Sequence, residues 1–275
     1  MQIAIISPTK YLKEFSSLGD LGMCIGTTCL ESMEYLEYYK NESKRDRHVI
    51  LDNGIFETGE SLSAEQIINL AKEINPQDLV TPEKMKDKKG TLELLEDFIQ
   101  KLTQQGLLKK WPLLAVIQGS TPEELIDCFT NFLKRDNIST IGIPNGLRFW
   151  KLDSFSDTNN QMLNRLNLML EIRKVLWGHD YNIKPKHLMG CSNPFEIFLQ
   201  TICNKLPFVV RSQDSSSAFV HGIHGIKFEI GKGLPCEKLS SKIEFHSTVT
   251  LDDESYNNVT YNINILNKYR EGLLA

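Results

Sequence analysis

The stretch that decides the fold is Leu113-Leu114-Ala115-Val116-Ile117-Gln118-Gly119-Ser120-Thr121-Pro122-Glu123-Glu124. Its first five residues are apolar and form the kind of short run that predicts a buried strand. Thr121 then suits an N-cap, and Pro122 suits the first turn of a helix. Gln118 and Gly119 fall in the connection. The stretch therefore predicts a strand, a short loop and a helix in immediate succession.

The same succession recurs along the chain. Strands are predicted at residues 2–7, 23–26, 48–51, 78–81, 113–117, 140–143, 188–190 and 206–211. Helices are predicted at residues 30–39, 91–102 and 161–177 and from residues 63, 121 and 193 onward. Repeated strand–loop–helix units require a parallel sheet with right-handed crossovers. Seven or eight such units in 275 residues favour an α/β fold, the (β/α)8 or TIM barrel, as a single domain over residues 1–275.

Composition limits the function classes. The formal net charge is −4, so a generic electrostatic nucleic-acid binder is disfavoured and a nucleic-acid partner would have to meet a local basic patch. The six cysteines form no C-x-x-C pair, which indicates buried thiols in a reducing compartment rather than a zinc site. No secretory signal and no apolar run of about 20 residues is visible, so we expect a cytoplasmic protein without a membrane span.

Polar groups and glycines follow the predicted strands, where the loops of a barrel converge on one face. In Leu51-Asp52-Asn53-Gly54-Ile55-Phe56-Glu57 a carboxylate ends an apolar run and an aromatic ring follows four residues later. Later strand ends contribute Glu83, Gln118, Gly142, Met189 with Gly190, and Asp214. Such a set suits an apolar, aromatic-floored pocket for a flat polar heterocycle.

Each candidate also has a purely structural interpretation. Asp-Asn-Gly is turn composition, so Asp52 could cap a turn, and Glu83 could be a solvated strand end. Gly119 and Gly190 could serve tight turns, and Met189 could belong to the core. His221 and His224 lack a nearby acidic or Cys ligand, which disfavours a metal site. A serine nucleophile after Asp214 is disfavoured because no G-x-S-x-G elbow is present.

Five of these signals occur in a suggestive order. They are Leu51-Asp52-Asn53-Gly54-Ile55-Phe56, Val116-Ile117-Gln118-Gly119, Ile141-Gly142-Ile143, His187-Leu188-Met189-Gly190, and Asp214. Their order and rough spacing over residues 48–225 resemble the tRNA-guanine transglycosylase superfamily. The resemblance implies a (β/α)8 barrel and an enzyme that exchanges a guanine in a nucleic acid for a 7-deazaguanine base.

The resemblance also implies roles. Asp214 would be the nucleophile, Asp52 the general acid/base, and Phe56 the ring that stacks on the base. The base pocket would be lined by Asn53, Gly54, Glu83, Gln118, Gly119, Gly142, Ile143, Met189 and Gly190. Two departures stand out: residues 215–221 do not match the family's Cys-containing stretch, and Glu83 stands where the family pattern has an Asp.

The missing zinc motif separates this chain from the tRNA enzymes. Those enzymes carry C-x-C-x-x-C and a His after the nucleophile, whereas this chain has no such cluster. The chain thus resembles the compact phage 7-deazaguanine DNA transglycosylases, which implies no zinc subdomain, no metal, no cofactor, and DNA and a 7-deazaguanine as partners in the host cytoplasm. Basic residues that could contact DNA are Lys84, Lys86, Lys88, Lys89, Arg148, Lys151 and Arg211.

Several alternatives stay open at this point. The lysine run could be a solvated helix start. The same chemistry could act on tRNA, the barrel could be a non-catalytic nucleic-acid-binding subunit, or the enzyme could be a hydrolase that stops at base release. The oligomeric state is not indicated by the sequence.

Overall fold

The structure, a computed structural model, describes residues 1–150, 157–177, 183–191, 193–203, 210–232 and 249–273. Its eight strands are β1 (Gln2–Ile5), β2 (Gly22–Ile25), β3 (Val49–Asp52), β4 (Asp78–Val80), β5 (Leu113–Val116), β6 (Ile138–Ile143), β7 (Lys186–Leu188) and β8 (Val210–Ser215). They form one sheet in the order β1-β8-β7-β6-β5-β4-β3-β2, so the strands at its two ends are consecutive in the chain. This order, with helices between the strands, is that of a (β/α)8 barrel, and the predicted fold class is confirmed.

Helices follow the strands. They are α1 (Gly26–Glu31), α2 (Met33–Lys44), α3 (Ile55–Thr58), α4 (Ala64–Ile74), α5 (Lys88–Gln104), α6 (Pro122–Leu133), α7 (Asp157–Leu176), α8 (Pro194–Cys203), α9 (Ser217–Ile223) and α10 (Asp253–Arg270). No helix in the described part of the chain is long and apolar enough to cross a membrane.

The chain divides into two compact units. The terminal unit comprises Met1–Asp20, Pro144–Leu170 and His187–Ala275, and the middle unit comprises Leu21–Ile143 and Glu171–Lys186. That residues 1–275 form a single domain stays a prediction.

In the middle unit, the apolar strands predicted from sequence lie in the core. Ile50, Leu51 and Leu113 are fully buried, as expected for parallel strands that are covered on both faces. The β2–β3 register places Ile25 beside Asp52, which is the last residue of β3. The strand thus carries a carboxylate from the core to its own carboxyl end.

Two helix starts that the sequence predicts are confirmed. The Ser63 hydroxyl accepts a hydrogen bond from the Gln66 N–H, and the Ser63 N–H donates to Gln66 Oε1, which is a capping box. Thr121 accepts from the Glu124 N–H, with Pro122 as the first residue of α6. These caps place the connections that carry the site.

The predicted helix over residues 30–39 is wrong in its bounds. Ser32 is extended (φ −133°, ψ 110°) and separates α1 from α2. Its hydroxyl accepts a hydrogen bond from the Tyr35 N–H at 3.2 Å. A serine that caps a helix interrupts the run that apolar periodicity alone would continue.

The late strand predicted over residues 206–211 ends too early. Residues 206–209 lie outside the described residues, and β8 continues to Ser215. Polar Ser212 and Asp214 are buried in this strand and pair with Gln2 and Ala4 of β1. Asp214 therefore lies within the strand rather than in the loop after it, and Ser212 and Ser215 find hydrogen-bond partners inside the protein, on His187 and on the Cys191 carbonyl.

The terminal unit has an aromatic core that the sequence reading missed. Helix α10 contributes Val259, Ile263 and Leu266, which recur at helical spacing and are fully buried. They join a cluster that also contains Phe15 and Phe219. Ile3 and Ile5 of β1 belong to the same cluster, so this core packs against β1.

Two glycines test the conformation of the Asp52 turn. Gly54 has φ +75°, and an added Cβ would lie 2.4 Å from Thr27 Cγ2, whereas Gly59 has φ +85° and open space. We expect Gly59→Ala to cost about 1–2 kcal/mol from backbone strain alone. Gly54→Ala should cost clearly more in urea unfolding, because strain and overlap add. Equal losses for the two variants would contradict this packing.

Candidate functional site

The first cluster of polar side chains lies in the middle unit, at the end of β3. The Gly54 N–H donates to Asp52 Oδ2 at 2.9 Å, and the Ile55 N–H donates to Asn53 Oδ1 at 3.0 Å. Asp52 is thus part of a turn, as the structural interpretation proposed. The residue is buried, with 8 % of its surface exposed.

Glu83 lies at the centre of this cluster. Asn53 Nδ2 donates to Glu83 Oε1 at 3.1 Å, and Gln118 Nε2 donates to Glu83 Oε2 at 2.5 Å. Asn53 Nδ2 also donates to the Thr81 carbonyl at 2.8 Å. Glu83 is therefore not a solvated strand end: it is buried, and both of its oxygens are bound by amides.

The Gln118 amide is fixed in one orientation. Its Oε1 accepts from the Lys86 N–H at 2.9 Å while its Nε2 faces Glu83. Lys86 takes a left-handed φ of 59°, and its carbonyl accepts from Ser120 Oγ at 2.7 Å. The strained Lys86 backbone is thus held through both its N–H and its carbonyl, which indicates that the surrounding contacts fix its conformation.

The protonation of Glu83 is unusual. Burial raises the pKa of this carboxyl to about 8, although the Gln118 and Asn53 amides lower it, and the charge of Asp52 adds to the rise. Both the neutral and the ionised forms are therefore populated near neutral pH. Perturbed carboxyls of this kind concentrate at functional sites.

The second cluster lies in the terminal unit and is centred on Asp214. Its Oδ1 accepts from His187 Nε2 at 3.1 Å and from the Gly190 N–H at 2.9 Å. Within the described residues Oδ2 has no hydrogen-bond partner. The side chain is 8 % exposed, so one oxygen is anchored and the other is available in a site that is largely closed to water.

The tautomer of His187 follows from its two partners. Its Nδ1 lies 2.8 Å from Ser212 Oγ, and the ring is fully buried. An ionised Asp214 can only accept, so a neutral His187 donates from Nε2 and accepts the Ser212 hydroxyl proton at Nδ1. The chain Ser212–His187–Asp214 thus fixes the orientation of the carboxylate.

A buried ion pair supports the loop that supplies the second donor. Arg165 donates to both Glu196 oxygens at 2.7 Å, and a further nitrogen donates to the Met189 carbonyl at 2.7 Å. Gly190 follows with a left-handed φ of 56°. Removing one partner of such a pair leaves an uncompensated buried charge. The pair therefore holds the Gly190 N–H in place.

The remaining predicted pocket residues differ in what they can offer. A Cβ added to Gly119 would lie 2.7 Å from Glu124 Cβ, and one added to Gly142 would lie 2.7 Å from Val116 Cγ2. Both glycines therefore pack tightly against their neighbours. Ile143 is buried and Met189 is half-buried. Phe56, on α3, is 63 % exposed, which leaves its ring accessible to a ligand.

Most of the predicted basic residues near Glu83 are ion-paired at the surface. Lys84 lies 3.0 Å from Asp87, Lys88 lies 2.7 Å from Asp127, and Lys89 lies 3.7 Å from Glu93. Lys88 and Lys89 begin α5, as the solvated-helix interpretation expected. Exposed pairs of this kind are weak, so a phosphate could displace the acidic partner.

The other basic candidates are dispersed. Arg148 is exposed, and Lys151 lies outside the described residues. Arg211 lies three positions before Asp214 in β8, where it lines a cavity of about 430 Å³ with Asp20 and Arg270. It therefore lies towards the amino end of the strand that carries Asp214.

The structure places the histidines and serines that were considered for a metal site or a nucleophile. His221 is buried with Nδ1 on the Ser217 carbonyl at 2.7 Å, and His224 is exposed. No group of three or more His, Cys, Asp or Glu among the described residues could hold a metal ion. Ser215 donates to the Cys191 carbonyl at 2.6 Å and contacts the Ser217 hydroxyl.

Sequence reasoning missed the partners of Asp214. His187 was visible in His187-Leu188-Met189-Gly190 but was treated as part of a strand, and Ser212 as part of a polar stretch. Arg165 and Glu196 lie in two predicted helices, and no local pattern distinguishes them there. Only the alternation of polar residues at 212 and 214 in one strand could have indicated a shared inward face.

The comparisons with known proteins do not assign a family. Neither a scan against protein-family models nor a search of curated proteins found a match to this chain.

The protonation of Glu83 gives a stability prediction. Because the folded state holds this proton up to about pH 8 and an unfolded Glu loses it near pH 4.3, stability falls as pH rises through this window. We expect a loss of a few kcal/mol between about pH 5 and 8 in urea unfolding. In Glu83→Gln this slope should largely disappear.

The matched control is Glu60→Gln, since Glu60 is an exposed carboxyl of the same unit. It should keep the wild-type slope. The slope, rather than the absolute stability, is the readout, because the Gln amide would face the donors of Asn53 and Gln118. An unchanged slope in Glu83→Gln would show that this carboxyl is ionised throughout.

Proposed function

We propose that this protein is a base-exchange glycosyltransferase that replaces guanine in DNA with a 7-deazaguanine derivative through a covalent glycosyl-enzyme intermediate. One observation carries the proposal: Asp214 Oδ1 is held by His187 and the Gly190 N–H, while Oδ2 has no partner among the described residues. A nearly buried carboxylate with one anchored oxygen is suited to attack a sugar carbon. The order of strand-end motifs supports the same reaction class.

In the first step, Asp214 Oδ2 attacks C1′ of the deoxyguanosine through an oxocarbenium-like transition state. The C1′–N9 bond breaks, and its electron pair leaves with guanine. The His187 and Gly190 donors keep the carboxylate oriented during the attack and stabilise it again when it leaves. Both donors bind Oδ1, so Oδ2 can form the bond to C1′ while the two hydrogen bonds to Oδ1 are kept.

Proton transfer at the base is assigned to Asp52. Its carboxyl would protonate the departing guanine and then remove the N9 proton of the incoming 7-deazaguanine. The new N9 attacks C1′ and releases Asp214. Two inversions at C1′ give net retention, so the new base has the same configuration as guanine. These steps use no metal or redox cofactor.

Base recognition is assigned to the Glu83–Gln118–Asn53 cluster and Phe56. A carboxyl with a pKa of about 8 can accept or donate a hydrogen bond at neutral pH. This would let Glu83 serve a purine edge that presents N–H donors. The exposed Phe56 ring offers the stacking face that a flipped-out base requires.

The nucleic-acid partner would be held by the lysines that follow Glu83. Lys84, Lys88 and Lys89 form exposed ion pairs, which DNA phosphates could exchange for stronger contacts. A chain with net charge −4 needs such a local patch. DNA is preferred to tRNA because the sequence lacks the zinc motif of the tRNA enzymes.

The direct test is incorporation of labelled guanine into duplex DNA. The wild type should label DNA, and Asp214→Asn should lower the rate by at least about 1000-fold, as expected for loss of a nucleophile. An Asn Oδ1 can still accept from His187 and Gly190, so the variant should keep the fold. Asp253→Asn, an exposed aspartate at the start of α10 in the same unit as Asp214, is the matched control and should keep the wild-type rate.

The same assay distinguishes the alternatives. Labelling of tRNA instead of DNA would move the substrate to RNA with the chemistry intact. Release of free guanine without incorporation would indicate a hydrolase. No labelling of either polymer by a folded wild-type protein that is supplied with a 7-deazaguanine and guanine would contradict the proposal.

Asp52 has a separate prediction. Asp52→Asn keeps an oxygen that can accept from the Gly54 N–H, so the turn should survive. We expect the exchange rate to fall about 100- to 10,000-fold, the range for loss of a general acid/base, with circular dichroism unchanged. A wild-type rate in this variant would show that Asp52 serves only the turn.

A further inference from the structure

Two cysteines of the middle unit lie in contact beside the Asp52 turn. Cys24 Sγ in β2 and Cys29 Sγ in α1 are 3.2 Å apart, and both residues are buried. All four cysteines whose side chains the structure describes, Cys24, Cys29, Cys128 and Cys191, are buried free thiols. A thiol pair at this separation needs to close by only about 1 Å to form a disulfide.

We propose that Cys24 and Cys29 form a peroxide-sensitive thiol pair, whose disulfide alters the Asp52 turn. The second half of this proposal rests on the proposed function, because it assigns regulation to the same site. The first half concerns covalent chemistry alone and can be tested without any activity.

The reaction balances with peroxide as the oxidant. The Cys29 sulfur attacks one peroxide oxygen, which breaks the O–O bond, gives a sulfenic acid and releases water. Cys24 then attacks the sulfenic sulfur, the S–O bond breaks, and the hydroxide leaves as water with the Cys24 proton. Two thiols are oxidised and one peroxide is reduced to two waters. Cys29 reacts first because it is 4 % exposed and Cys24 is fully buried.

The location of the pair connects it to Asp52. Between the cysteines, Gly26 and Thr27 begin α1. A Cβ on Gly26 would lie 2.6 Å from the Asp52 carbonyl oxygen, and a Cβ on Gly54 would lie 2.4 Å from Thr27 Cγ2. Because the start of α1 packs so closely on this turn, drawing Cys29 towards Cys24 must displace one of them. A disulfide here would therefore change the position of the Asp52 carboxyl.

The first experiment exposes the reduced full-length protein to hydrogen peroxide, blocks the remaining thiols and maps disulfides by mass spectrometry. We expect a Cys24–Cys29 cross-link, loss of two of the six thiols, and full reversal by dithiothreitol. Cys29→Ala should abolish the cross-link, and Cys128→Ala, another buried thiol of this unit, should retain it. Irreversible oxidation, another pairing, or no cross-link in the wild type would overturn the proposal.

The second experiment measures labelled-guanine exchange before and after peroxide. We expect the oxidised wild type to lose at least tenfold in rate and to recover with dithiothreitol, while Cys29→Ala stays insensitive. An unchanged rate in a fully cross-linked protein would overturn the regulatory half. If the reduced protein shows no exchange at all, the proposed function fails while the cross-link result stands by itself.

Discussion

Burial of carboxylates at strand ends is the constraint on which the rest depends. A carboxyl that is buried away from water either receives hydrogen bonds that stabilise its charged form or keeps its proton and stays neutral. Asp214 receives two donors on one oxygen, from His187 and the Gly190 N–H. Glu83 receives two amides, yet burial still raises its pKa to about 8. The same burial thus accompanies an oriented carboxyl in one unit and a carboxyl of raised pKa in the other.

Support for these carboxyls comes from groups that do no chemistry themselves. Arg165 and Glu196 form a buried bidentate pair that also binds the Met189 carbonyl, which fixes the loop before Gly190. In the middle unit the Lys86 N–H orients the Gln118 amide. Each arrangement is fully hydrogen-bonded at its centre, which suits a site that must keep its geometry when a substrate displaces water.

The sequence predicted the fold well because parallel strands read as short apolar runs and helix caps have local rules. Thr121 and Ser63 are found where those rules place them. The sequence prediction ended β8 too early, because Ser212 and Asp214 are polar and buried and only tertiary partners stabilise such a strand. The same reason hid His187 and Arg165: their importance lies in contacts between residues far apart in sequence, which no local pattern records. The roles inferred from the resemblance stay predictions.

The measurement that tests the central claim most directly is identification of the residue that carries the sugar. The wild-type protein would be denatured during turnover with DNA and a 7-deazaguanine, digested with protease and nuclease, and analysed by mass spectrometry. We expect a deoxyribose-derived adduct on the peptide that contains Asp214 and no such adduct in Asp214→Asn. An adduct on the Asp52 peptide, or turnover without any adduct, would contradict this expectation.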